Sequence, residues 1–154
     1  MPTEMKRNRQ VLAVGLAFTG LATAVISMGW VSSRLASTDY PGRLWPLPGL
    51  YLVEAVVLPA LVLWAVVVAH HRGARFGAWL AVGALTTMGL LGAMSIGFNV
   101  ALALLFLIPA TVLSDYGRST VSRKVAGFVL GSTLQGGVMF GVVQYFLRRT
   151  ASGQ

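Results

Sequence analysis

The sequence predicts an all-α polytopic membrane bundle of five transmembrane spans with its N-terminus inside. Three observations carry this expectation. Of the 154 residues, 56% are hydrophobic and 10% charged, whereas a soluble domain carries roughly 25% charged residues to cover its surface. Mean hydropathy is +0.75, and the apolar residues come in runs close to the ~20 that a helix needs to cross a ~30 Å hydrocarbon core. Basic residues cluster at the edges of those runs, as lipid-facing spans require. No stretch outside the runs is long enough to enclose a separate soluble core, so a single transmembrane domain covers residues 1–154.

The first run, 11–32, follows a basic start, MKRNRQ. Together with Ala22 and Ala24 it resembles a cleavable signal, but the apolar run continues through Val25, Ile26 and Met28 to Val31. An uncleaved first span is therefore expected. Residues 33–49, SRLASTDYPGRLWPLPG, hold Pro41, Gly42, Pro46, Pro48 and Gly49, which favour turns and extended chain and mark an external loop. The second run, 50–69, contains Glu54 and Pro59; the proline removes the bond to the Ala55 carbonyl and predicts a kink, as does Pro109 in the fourth run. The following HHRGARFG leaves room only for a hairpin.

Residues 76–113 carry no charge. As one helix these 38 residues would reach roughly 57 Å, about twice the hydrocarbon thickness. Two spans, 76–94 and 99–115, joined by a turn at Ser95-Ile96-Gly97-Phe98-Asn99, fit better, with a merged four-span chain as the alternative. The fifth run is 125–147. Orientation follows from the retention of Lys and Arg in cytoplasmic loops. Five spans with an inner N-terminus place Lys6, Arg7, Arg9, Arg72, Arg75, Arg118, Arg123 and Lys124 inside and Arg34, Arg43, Arg148 and Arg149 outside, eight against four. Four spans give seven against five. Trp30, Trp45, Tyr51 and Tyr145 then fall near outer ends, and Trp79 and Tyr116 near inner ones.

The net charge of +8, placed at span edges, points to anionic lipid headgroups and away from nucleic acid. The absence of cysteine excludes disulfides, thiolate chemistry and Cys-ligated metals. Ten of the twelve basic residues are Arg amid abundant Ala, Gly, Val and Leu. That composition suggests a GC-rich prokaryote, and hence a cytoplasmic (inner) membrane. Because lipid supplies little hydrophobic drive between helices, packing should rest on small residues. Candidate stripes are Gly15, Thr19, Thr23 and Ser27 in the first span; Gly77, Ala81, Gly89, Ala93 and Gly97 in the third; and Gly127, Gly131 and Gln135 beside Thr133, Gly137 and Gly141 in the fifth.

Glu54 is the one acid inside a long apolar run. About four residues into its span, it belongs near the outer interface, where Arg34 or Arg43 could pair with it and the helix dipole favours a first-turn carboxylate. The sharper reading is a proton or cation site, because acids within membranes often mark pathways. Gln135 needs a cross-helix partner, and Asn99 could join the two along a route. His70 and His71 are adjacent rather than at i, i+4, so they do not form a zinc pair. Ser95 in AMSIG lacks the first glycine of G-x-S-x-G and lies on the opposite side from both histidines. With no catalytic, metal or cofactor constellation, the expected function is a non-enzymatic subunit or accessory protein of a membrane complex, working as a homo-oligomer or beside a membrane partner. The alternative is a small oligomeric transporter or channel using Glu54 and Gln135.

Overall fold

The computed structural model describes residues 2–36, 47–92 and 97–151. Arg43, Trp45 and Ser95 lie outside the described residues. Five helices run in order: α1 Pro2–Ala36, α2 Leu47–Val67, α3 Arg72–Leu91, α4 Gly97–Asp115 and α5 Val121–Ala151. All five contain a segment long and apolar enough to cross a membrane, so the chain is a five-span, multi-pass membrane protein. Gly92 and the start of α4 at Gly97 separate the third and fourth spans, which removes the four-span alternative.

Several boundaries move outward. α1 has 35 residues, about 52 Å at 1.5 Å per residue, so its exposed start, Glu4 to Arg9, projects beyond the 11–32 core. The expected 33–49 loop shortens from both sides, since α1 reaches Ala36 and α2 begins at Leu47. Asn99 sits inside the first turn of α4 and not in the turn before it. His70 and His71 lie past the end of α2, their rings 3.8 Å apart. α2 passes through Pro59 without a break, its ring buried.

Helices α1 to α4 form an antiparallel ring in which each touches its neighbours and α4 closes onto α1. The core is built largely from small side chains, Ala13, Ala17 and Ala24 of α1 meeting Ala103, Leu107 and Ala110 of α4. Gly20 is the closest point: a Cβ there would stand 2.8 Å from the Leu107 side chain. The α1 stripe of Gly15, Thr19, Thr23 and Ser27 does not make this contact. Gly15 and Thr19 are exposed, and the two threonine hydroxyls donate to carbonyls one turn back in their own helix, Thr19 to Gly15 and Thr23 to Thr19. Alanine burial, which leaves no polar group behind, settles the packed face instead.

The fifth helix stands outside this ring, packed chiefly on α3. Contacts advance in step along both: Gly127 at Phe76 and Trp79, Gly131 at Leu80, Ser132 at Gly83, Gly136 at Thr87. α3 and α5 are therefore parallel. A Cβ on Gly131 would overlap the Leu80 carbonyl oxygen, and one on Gly83 would overlap that of Phe128. The expected Gly127, Gly131 and Gln135 stripe is this seam, and all three are buried. On the third span only part of the expected stripe packs: Gly77 is exposed, while Ala81 is buried. Substituting Gly131→Leu should cost about 1–3 kcal/mol of folding stability through overpacking, read as thermal unfolding by circular dichroism in mild detergent. Gly137→Leu on the open face should stay within about 0.5 kcal/mol of the parent. Equal losses in the two variants would contradict the seam.

Candidate functional site

Two polar clusters interrupt the apolar bundle. The first joins α2 to α5. Glu54, one turn beyond Leu50, is half-buried on the side of α2 that faces α5, and the buried Gln135 donates from Nε2 to its Oε2 at 2.7 Å. The carboxylate thus meets an amide from a helix 81 positions away. Two candidates named from the sequence are brought together by one hydrogen bond. One turn earlier on α2, Tyr51 donates its hydroxyl to the Met88 carbonyl at 2.8 Å, tying α2 to the end of α3. Above the pair, Tyr51, Thr87, Leu91, Gly136, Met139 and Phe140 line a mainly apolar groove of about 580 Å³ open to the bundle exterior.

Of the other named residues, Arg43 lies outside the described residues. Arg34, in the last turn of α1, has its guanidinium 4.9 Å from the centre of the Trp30 ring, a cation-π geometry. Asn99 is half-buried in the first turn of α4, and among the described residues no hydrogen bond joins it to Glu54 or Gln135.

The second cluster lies at the opposite end of the helices, where the start of α1, the α2–α3 turn with the start of α3, and the α4–α5 turn with the start of α5 collect eight basic residues: Lys6, Arg7, Arg9, Arg72, Arg75, Arg118, Arg123 and Lys124. Its centre is Asp115, the last residue of α4 and fully buried. Trp79 of α3 donates its indole N–H to Oδ2 at 3.0 Å, and Ser119 donates its hydroxyl to the same oxygen. Lys124 Nζ of α5 stands 3.5 Å from Oδ2, and Arg75 Nη1 of α3 stands 4.0 Å from Oδ1. Asp115 is thus held by α3, by the α4–α5 turn and by α5 together. Placed at the end of a span, it reads in the sequence as an interface residue. The signal for its role is that it is a lone acid among cations: between Glu54 and the C-terminus the chain has no other carboxylate side chain.

Chemically, the first cluster is a hydrogen-bonded carboxylate beside a lipid-facing groove, and the second is an ion-paired anchor. Removing Asp115 strands two part-buried cations and the Trp79 indole N–H, so Asp115→Ala should lose about 3 kcal/mol, whereas Gln135→Leu, which removes one amide donor, should lose about 1 kcal/mol. An unfolding titration with dodecyl sulfate in mixed micelles measures both. A D115A chain as stable as the parent would refute the anchor. Comparison of the chain with protein-family models, with curated proteins and with solved structures finds no match.

Proposed function

We propose that the chain is a non-enzymatic subunit of a membrane complex in a prokaryotic cytoplasmic membrane, docking a transmembrane helix of its partner on the outer face of α5. One observation carries this reading. α5 holds two G-x-x-x-G motifs: Gly127 and Gly131 are spent on α3, while Gly137 and Gly141, continuing from the exposed Thr133, have nothing within 4 Å of where a Cβ would stand. In lipid such a small-residue face lets a second helix backbone come close, which is the main route to helix association there. The eight basic residues at one end support a cytoplasmic N-terminus and an outer C-terminus under the positive-inside rule.

The oligomeric transporter or channel is the second reading, favoured by Glu54: both ion pairs among the described residues end on Asp115, and the Glu54 carboxylate accepts from the Gln135 amide near an open groove. The absence of native cysteine makes the test clean. Gly137→Cys in native membranes should give an oxidative cross-link to itself if the partner is a second copy, or a bifunctional-reagent cross-link to a different polypeptide. Gly137→Leu should return the mass in mild detergent to that of a lone chain. A parent that is monomeric in native membranes and gives neither product removes the subunit reading. Flux through proteoliposomes that Glu54→Gln abolishes would select the transporter.

A further inference from the structure

Beyond the α5 face, the basic end contains a cavity that neither polar cluster uses. It lies between the start of α1 and the α4–α5 turn and has a volume of about 190 Å³. Lys6, Arg9 and Arg118 line it with Gln10, Ser114 and Tyr116. No acidic residue is among its lining residues. The adjacent acid in the chain, Asp115, is turned to the other side of α4, where Trp79, Ser119 and Lys124 hold it. Glu4, on the same helix as Lys6, opens onto a neighbouring groove with Met5 and Asn8, which shares Arg9 alone with the cavity. The cavity therefore keeps three positive charges without an internal counter-charge.

Its walls are also positioned. The Arg9 guanidinium lies 4.7 Å from the centre of the Tyr116 ring, a stacking that orients its plane, and its Nη2 donates weakly to Met5 Sδ at 3.7 Å, leaving further N–H donors of the guanidinium for an anion. Gln10 is anchored by donating to the Val66 carbonyl of α2 at 2.8 Å. Gly117, at φ 68°, reverses the chain so that Tyr116 and Arg118 both border the cavity, a conformation a residue with a side chain rarely adopts. Tyr116 follows directly on the α4 span, which sets the cavity at headgroup depth, where basic pockets between helices take anionic headgroups.

We infer that this cavity, formed by Lys6, Arg9 and Arg118, is a specific binding site for a phosphate group of net negative charge, carried on an anionic lipid headgroup or on a free solute. The test uses the full chain purified in an uncharged detergent. Bound phosphatidylglycerol and phosphatidylcholine are counted by native mass spectrometry, with and without inorganic phosphate as competitor. The parent should prefer phosphatidylglycerol, and Arg9→Gln and Arg118→Gln should each weaken its binding about fivefold, the loss expected for one basic residue withdrawn from an anionic headgroup. Arg118→Lys should recover most of it. Arg123→Gln, which removes an exposed cation at the same end but on the α3 side of α5, should leave it unchanged. Displacement by inorganic phosphate assigns the site to a free phosphate-bearing molecule, and retention assigns it to the lipid. Equal binding of both lipids without any phosphate binding, or an equal loss in R123Q, overturns the proposal, because attraction would then be a property of the whole basic end. The helical circular dichroism of each variant separates loss of the site from loss of the fold.

Discussion

The buried carboxylate of Asp115 is the constraint on which the arrangement of the helices depends. A carboxylate taken out of water must be repaid by donors or cations, because leaving it alone costs several kcal/mol or more. Here those partners come from the first two turns of α3, the first turn of α5 and the turn between α4 and α5. Satisfying one side chain therefore sets the height of α3, α4 and α5 relative to one another. It also offsets repulsion at an end of the molecule where eight cations meet. The lateral contacts that complete the bundle agree with this setting: between α3 and α5 only glycine fits where the Leu80 and Phe128 carbonyls approach, so sliding would bring a side chain against backbone.

Once that end is fixed, α5 has little freedom of rotation. Lys124 is drawn to Asp115, Ser132 donates to the Gly83 carbonyl at 3.1 Å, and Gln135 reaches Glu54. These three ties occur at successive heights on one side of α5. With 3.6 residues per turn, Gln135 and Gly137 point about 200° apart. Pinning Gln135 to Glu54 thus holds Gly137 outward, and the polar pair and the open glycine face are two aspects of one rotational setting. Glu54 in turn accepts from an amide that would itself have been costly unpaired.

Much of the fold was legible because the bilayer imposes length and polarity rules that act locally in sequence. Five runs near 20 residues, the glycine between the third and fourth, and the gathering of cations at alternate ends do not depend on which helix touches which. Helix boundaries were less legible, since the start of α1 is polar and continues as helix in water, where composition gives no stop. Pairings depend on non-local geometry. The α1 stripe of hydroxyl residues had the right spacing but satisfies itself by bonds within its helix, whereas Ala13, Ala17 and Ala24 look unremarkable in sequence and form the packed face. Glu54 and Gln135 were each visible as polar residues needing a partner, while their bond required knowing that α5 returns to α2 across α3. Asp115 was hidden by position, since an acid at the end of a span ordinarily reaches water.

The placement of α5 outside a closed ring has a consequence for how the protein is made. Helices α1 to α4 contact one another in a cycle that is complete before α5 is synthesised, and α5 joins through α3, which lies two helices earlier in the chain. Because chains enter the membrane from the N-terminus onward, the last span inserts beside an assembled core and docks by lateral movement, guided to parallel alignment by the short turn after Asp115. The final step of biogenesis is thus separable from the rest. A chain interrupted after residue 120 would keep every helix of the ring but lose Lys124 from Asp115 and Gln135 from Glu54, so the arrival of α5 completes both polar clusters.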